Sequence, residues 1–409
     1  VTLLTALLFF HNCFASLQDV AVDGLAVDIL NPEEFGKING FMFGAKRFGT
    51  MVGGAGIGYL MGKYTSLGIA GGLFLTVPLL LLIMCLPAFI RERPGEKLNP
   101  WSEGKAVIKA SNSNQTKKIK KGKGPTDSIQ KDIDWDSNLW KAICVDLALW
   151  AFLFFFLLLT IGDVVGLLGS VIVAIACAGL WYFNFYFKPE EEWNSFGMQF
   201  YDLAPVQSDI VKALSLRAPM IGVLLAMLTY FWEFLIPVLN VLFIQQLGWT
   251  DTEYVLVTGG SAVVAGILGT LMGGIIADRY GARRIASLFS ILTGLSIFTI
   301  ALAEPLWENR TVMTWLVIIY PFFGAAMGIS LISLFMNVTW PKVGATQFTL
   351  YMALLNFGAL FGLKMAGYFE ENFTFTTTIM IGGTCQLMIA FVLPYIDPGQ
   401  TRRELGNEF

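Results

Sequence analysis

Six ionisable residues stand in stretches of this 409-residue chain that are otherwise apolar: Asp19, Asp23, Lys46, Arg47, Glu233 and Lys364. A charge at depth in a low-dielectric medium is costly, so such a group normally faces a partner, a water-filled cavity or an ion path. Asn12, Asp19 and Asp23 are spaced by seven and four, which puts them on one face of a helix, with His11 and Gln18 on the adjacent stripe. From the turn near Asn31 to Lys37, Asp23 lies eight residues back and Asp19 twelve, while Lys46 and Arg47 lie nine and ten residues on. At about 1.5 Å per residue the carboxylates and the cations therefore share a depth. Two readings of that match stay open: a fixed ion pair that holds two helices together, and a protonatable carboxylate that releases its cation when a solute or a proton arrives. Glu233 has Pro237 and Asn240 four and seven residues on, and the proline removes a backbone hydrogen bond, which calls for a hinge or an unwound turn. Glu233 and Lys364 read equally as a cross-helix pair or as groups holding opposite ends of an anionic solute. His11 reads as a hydrogen-bonded packing residue before a proton relay.

The elements that carry these groups follow from composition. The chain is 55% hydrophobic and 14% charged, where a soluble domain carries about 25% charged residues, so its solvent is lipid. A membrane helix needs about 20 mostly apolar residues. Residues 64–90, 164–187, 254–277, 285–303, 312–341 and 373–396 contain no Asp, Glu, Lys or Arg. Residues 38–62, 142–162, 218–245 and 343–369 carry one or two ionisable groups, and a helix over about 2–30 carries Asp19, Asp23 and Asp28. The expectation is eleven spans in an all-α polytopic membrane protein. Between the third and fourth, residues 91–139 hold 11 of the 27 lysines and arginines, which marks that loop as cytoplasmic. Alternation then puts Arg279, Arg283, Arg284, Lys342, Arg402 and Arg403 on the same side, the first helix starts outside, and the tail is cytoplasmic. Loops 305–311 and 369–375 fall outside and contain the sequons Asn309-Arg310-Thr311 and Asn372-Phe373-Thr374. The stretch 112–124 reads as a solvated, lysine-rich linker, and residues 208–214 as a capped amphipathic helix lying at the bilayer interface.

Other chemistries find little support. The net charge of −3 argues against a nucleic-acid partner. Cysteines 13, 85, 144, 177 and 385 lie inside apolar runs without metal-ligand or disulfide spacing, and one histidine makes no metal site. No cofactor and no metal is expected. The sets Gly54, Gly58, Gly62 and Gly269, Gly273 have the spacing of close helix packing, and Gly53 to Gly58 lacks the Lys-Ser/Thr of a phosphate loop.

The most specific string runs from Gly273 through Gly274, Asp278, Arg279, Tyr280, Gly281 and Ala282 to Arg283 and Arg284. Gly274 allows close helix approach, Gly281 permits a turn, and Asp278 can pair with an arginine or cap a neighbouring helix. The string resembles the G-x-x-x-D-R-x-G-R-R signature of the major facilitator superfamily, departing from it at Ala282. Residues Ser16 to Asp28, Gly40 to Gly58 and Ala345 to Asn356 further resemble the fourth, fifth and eleventh helices of the branch that contains bacterial muropeptide permeases and eukaryotic acetyl-coenzyme A transporters. The likeness leaves out residues 91–217.

The resemblance implies a superfamily fold entered at its fourth helix, with helices expected upstream of Val1. Residues 1–90 then form part of an amino-terminal lobe, 91–217 a cytoplasmic linker with an inserted two-helix hairpin, and 218–409 a six-helix lobe with a short tail. It implies a monomeric secondary transporter working by alternating access, proton-coupled, with a large anionic or amphiphilic solute such as a muropeptide or a coenzyme A thioester. The pathway residues would be Asn12, Gln18, Asp19, Asp23, Lys46, Arg47, Glu233, Asn240, Asn356 and Lys364. The cytoplasmic gate would be Gly274, Asp278, Arg279, Gly281, Arg283 and Arg284. A receptor or scaffold that keeps the fold, and a membrane-embedded enzyme, are the alternatives.

Overall fold

The computed structural model describes residues 2–56, 68–85, 151, 171, 172, 175 and 209–406. Two compact units result, and the smaller one spans residues 49–134. Within it a π-helical turn, Met51–Gly56, and a helix α3, Gly68–Cys85, are described. The inserted pair at 142–162 and 164–187 and the glycines at 58 and 62 lie outside the described residues, apart from the isolated positions named above.

The larger unit contains α1 (Thr2–Ile29), α2 (Phe35–Thr50), α4 (Arg217–Thr229), α5 (Leu235–Val241), α6 (Asp251–Val255), α7 (Ala262–Tyr280), α8 (Ala282–Leu302), α9 (Arg310–Val338), α10 (Gly344–Asn372), α11 (Phe375–Val392) and α12 (Gln400–Leu405). Among the described residues every element is helical, and six segments from Arg217 to Leu405 are long and apolar enough to cross a membrane. These are the six spans expected of the second half. In a bilayer a helix satisfies its own backbone, so apolar sequence of this length has few alternatives.

Neighbours are chosen by small residues, because lipid gives apolar side chains no reason to prefer one another. On α7, Gly269 and Gly273 let in the backbone of α9 at Phe322 and Ala326. On α10, Gly358 and Gly362 sit against the carbonyls of Met227 and Phe231. Gly294 of α8 meets Leu387 and the Gly383 carbonyl of α11. α1 packs on α10, where an added Cβ at Gly24 would come 3.1 Å from Ala345 Cβ.

The span with Glu233 is interrupted. α4 ends at Thr229, a 3-10 stretch covers Phe231–Phe234, and α5 begins at Leu235. Pro237, which has no N–H, follows one turn later, and the Glu233 amide bonds back three residues to the Tyr230 carbonyl at 3.0 Å. Sequence places a hinge here, and here the helix changes pitch.

One expectation changes. Helical residues 209–214 do not leave their apolar face for the bilayer: Ala213 and Leu214 are buried and pack with Trp340 and Val343. Lys342 holds Asp209 at 2.8 Å beside them. The face that looked amphipathic is occupied by protein, because the turn into α10 presents an indole at that point.

Candidate functional site

The deep charges sort into two sets. In the first, Lys46 Nζ of α2 lies 3.2 Å from Asp19 Oδ2 of α1, with both side chains 64% exposed. An ion pair as open as this is worth about 0–1 kcal/mol in water, so it can break with little loss of stability. Asp23, one turn on, is 9% exposed and feels the charges of both Asp19 and Lys46. His11, Asn12 and Gln18 are exposed on the same helix.

The second set forms because Arg47, one residue after Lys46, leaves α2 about 100° round the helix. Its guanidinium lies against Gly266 of α7, where an added Cβ would come 3.1 Å from Nη1. From there it is the cation that acts on Glu233 and Tyr230 in the interrupted span. An aromatic shell surrounds the break. The Tyr230 hydroxyl fits against Gly328, the Trp232 ring against Gly324, and Trp232 meets Tyr320 edge-on at 5.9 Å. Trp232 is therefore packed on a small-residue face of α9, with the carboxylate beside it within electrostatic reach of Arg47.

The positive neighbour of Glu233 is Arg47 where the sequence suggested Lys364. α10 turns Gly362 to the Phe231 carbonyl, and Lys364, two residues later, points about 200° away from that contact. Lys364, Asn356 and Asn240 are exposed and do not join the Arg47–Glu233 set.

The signature string builds a different device at one end of the unit. Asp278 Oδ1 accepts the Gly36 amide and Oδ2 the Lys37 amide, both at 2.6 Å. Those amides belong to the first turn of α2, which has no helical acceptor for them, and the helix dipole there favours an anion. The approach depends on glycine. A Cβ on Gly274 would run into the Gly36 carbonyl, one on Gly36 would strike the Gly274 carbonyl, and one on Gly40 would come 2.8 Å from the Thr270 carbonyl. Gly281 has φ of 94°, a left-handed region that glycine occupies at no steric cost, and it ends α7 and starts α8 in one residue. Arg283 Nη1 donates to the Ile396 carbonyl at 2.8 Å. Arg279 lies over the Tyr280 ring at 5.5 Å, and Arg284 is exposed. Of the two roles open to Asp278, capping a neighbouring helix is the one it performs. A cavity of about 350 Å³ lies beside this cap, lined by Glu33, Tyr280, Arg283, Arg284 and Asn337 among others.

A family model described as Major Facilitator Superfamily matches residues 1–179, 163–363 and 220–408. The chain belongs to the major facilitator superfamily. No curated protein matched it closely enough to refine that assignment. As a superfamily member it is an integral, multi-pass membrane protein and a secondary transporter, and the all-α fold agrees. The matches over 1–179 and 220–408 do not overlap and cover two stretches of similar length, as expected of a fold made from repeated halves.

Several site residues escape a search for charge. The glycine face of α2, Gly36, Gly40 and Gly44, has the same four-residue spacing as Gly54, Gly58 and Gly62. Tyr320, Gly324 and Gly328 share that spacing on α9 and could have marked the face turned to Glu233. Gly266, which makes room for Arg47, stands in the same spacing with Ala262, Thr270 and Gly274 on α7.

Proposed function

We propose that this superfamily member is a proton-coupled transporter of an anionic or amphiphilic solute of the muropeptide or coenzyme A thioester class. The observation that carries the reading is the pair of neighbouring cations on α2: Lys46 paired to Asp19, and Arg47 seated against Gly266 of α7 within electrostatic reach of Glu233 in the interrupted span. An anionic solute competes with Glu233 for Arg47, and a proton on Asp19 removes the charge that pairs with Lys46. Either event loosens α2 from a partner while leaving its first turn capped by Asp278. Residues 1–90 and 218–409 act as the two lobes, with 91–217 as the cytoplasmic linker, and the protein works as a monomer. The excess of lysine and arginine in the loops supports a cytoplasmic position for the Asp278 end of α7.

Proteoliposomes tested with acetyl-coenzyme A and with an anhydromuropeptide, each under an imposed proton gradient, decide the reading. Uptake of one of them should rise with the gradient. It should collapse to the level of empty liposomes when Asp19→Asn, Asp23→Asn and Glu233→Gln are combined. Gradient-driven uptake that survives all three substitutions overturns the coupling assignment.

A further inference from the structure

The break that carries Glu233 leaves a carbonyl without its helical donor, and one buried side chain from a distant helix replaces it. In a continuous α-helix the Thr229 carbonyl would accept from the Glu233 amide, four residues on. That amide bonds to Tyr230, so the Thr229 carbonyl is orphaned inside a protein where both Thr229 and its surroundings exclude water: the residue is 0% exposed. Gln386 Nε2 of α11 donates to it at 2.9 Å, and Gln386 is also 0% exposed. The orientation of the amide is fixed by chemistry, since a carbonyl can be answered only by the N–H side. Gln386 is itself held, because Ser290 Oγ of α8 donates to its backbone carbonyl at 2.6 Å, again fully buried. The cost of the arrangement is visible in Gln386 Oε1, a buried oxygen with no partner among the described residues. An unpaired buried acceptor is unfavourable by about 1–3 kcal/mol, so a glutamine serving only as filler would be the wrong residue at this point. The same stretch is closed on its other side by Gly358 and Gly362 of α10, whose missing side chains admit the Met227 and Phe231 carbonyls on either side of Thr229.

We propose that Gln386 is a positioning residue for the transport site: its amide holds the interrupted span in the broken form and so fixes where Glu233 stands. Without that donor the Thr229 carbonyl recovers a partner only if the Glu233 amide returns to it, which winds the 3-10 turn into α-helix and rotates Glu233 away. The proposal rests on the reading of Glu233 as a site residue for its functional half, and on hydrogen bonding alone for its structural half.

The chain contains one Thr-Tyr dipeptide, Thr229-Tyr230, so carbonyl-13C threonine with 15N tyrosine gives a single carbonyl–nitrogen signal for this bond in solid-state NMR. In the unsubstituted protein, 15N-labelled glutamine side chains should show a through-space contact to that carbonyl, and its absence overturns the proposal with no mutant needed. Gln386→Met keeps the shape and removes the donor. The Thr229 carbonyl should then shift upfield and proton-driven uptake of the active probe should fall several-fold, while Ser290→Ala moves both in the same direction by less. An unmoved Thr229 signal in folded Gln386→Met shows that the hydrogen bond does not exist. A moved signal with unchanged uptake shows that it does not position anything used in transport. Glu233→Gln separates the two readings, because it should abolish uptake and leave the Gln386 contact to Thr229 in place; if uptake survives, the site assignment fails and the contact still stands.

Discussion

Asp278 and Asp19 are both carboxylates that meet α2, one at each end of the described helix, and they do so in opposite ways. Asp278 takes two backbone amides at 2.6 Å in a contact whose approach is set by Gly36, Gly40 and Gly274. Asp19 takes one flexible ammonium at 3.2 Å with both partners largely exposed. A backbone amide cannot swing away, and a glycine interface cannot be loosened by rotating a side chain, so the Asp278 contact holds or fails as a whole. The Lys46 ammonium sits on a four-carbon stem and can follow a new partner. In one helix the chain thus combines a docked end with an exchangeable one, which is what a moving lobe needs: a fixed seat beside a labile charge.

The contrast can be broken most severely at the glycines. Gly274→Val should prevent the seat from closing, since its side chain would occupy the position of the Gly36 carbonyl. Overpacking of this kind costs about 1–3 kcal/mol or more, read as a lowered thermal midpoint together with loss of uptake in liposomes. Asp278→Ala removes a charge and two amide acceptors, and each charge-assisted hydrogen bond is worth about 1.5–3 kcal/mol. Asp278→Asn, which keeps one carbonyl acceptor, should fall between Ala and the parent in the same melting and uptake measurements; equal behaviour of Asn and Ala would show that only the charge matters. At the labile end, Asp19→Asn should leave the melting temperature within the shift expected for about 1 kcal/mol or less while removing the response of uptake to the proton gradient. A large drop in stability there would mean that Asp19–Lys46 is a structural tie. The smallest effect is expected at Arg284, exposed at the edge of the same signature string: Arg284→Gln should change stability by no more than about 0.5 kcal/mol.

The second-half spans were legible in the sequence because the bilayer imposes one rule on all of them, a long charge-free stretch, and the bounds of α8 to α11 follow it closely. The match of depth between Asp19 and Lys46 was legible for a related reason, since helix rise converts residue counts into distance. What the sequence withheld depends on rotation about the helix axis rather than on position along it. Lys46 and Arg47 read as one cationic group, yet a single residue step sends them to different carboxylates. Lys364 has the charge to answer Glu233 but stands on the wrong side of α10. Gln386 is neutral, lies in a span that contains no Asp, Glu, Lys or Arg, and is invisible to any count of charge, although a carbonyl on another helix depends on it. The covering of 209–214 by Trp340 and Val343 was not legible, because amphipathicity reports that an apolar face will be covered and says nothing of whether lipid or protein covers it.

The Asp278 cap joins residues 242 positions apart in the chain. At about 5–20 residues per second, α2 leaves the ribosome roughly 10–50 s before its capping carboxylate is made. During that interval the amides of Gly36 and Lys37 must be served by water or lipid headgroups, with the helix end waiting at the membrane surface. The last act of assembly at this seat is then an exchange of solvent for Asp278, and a nascent chain stopped before residue 278 should carry α2 with its first turn still hydrated.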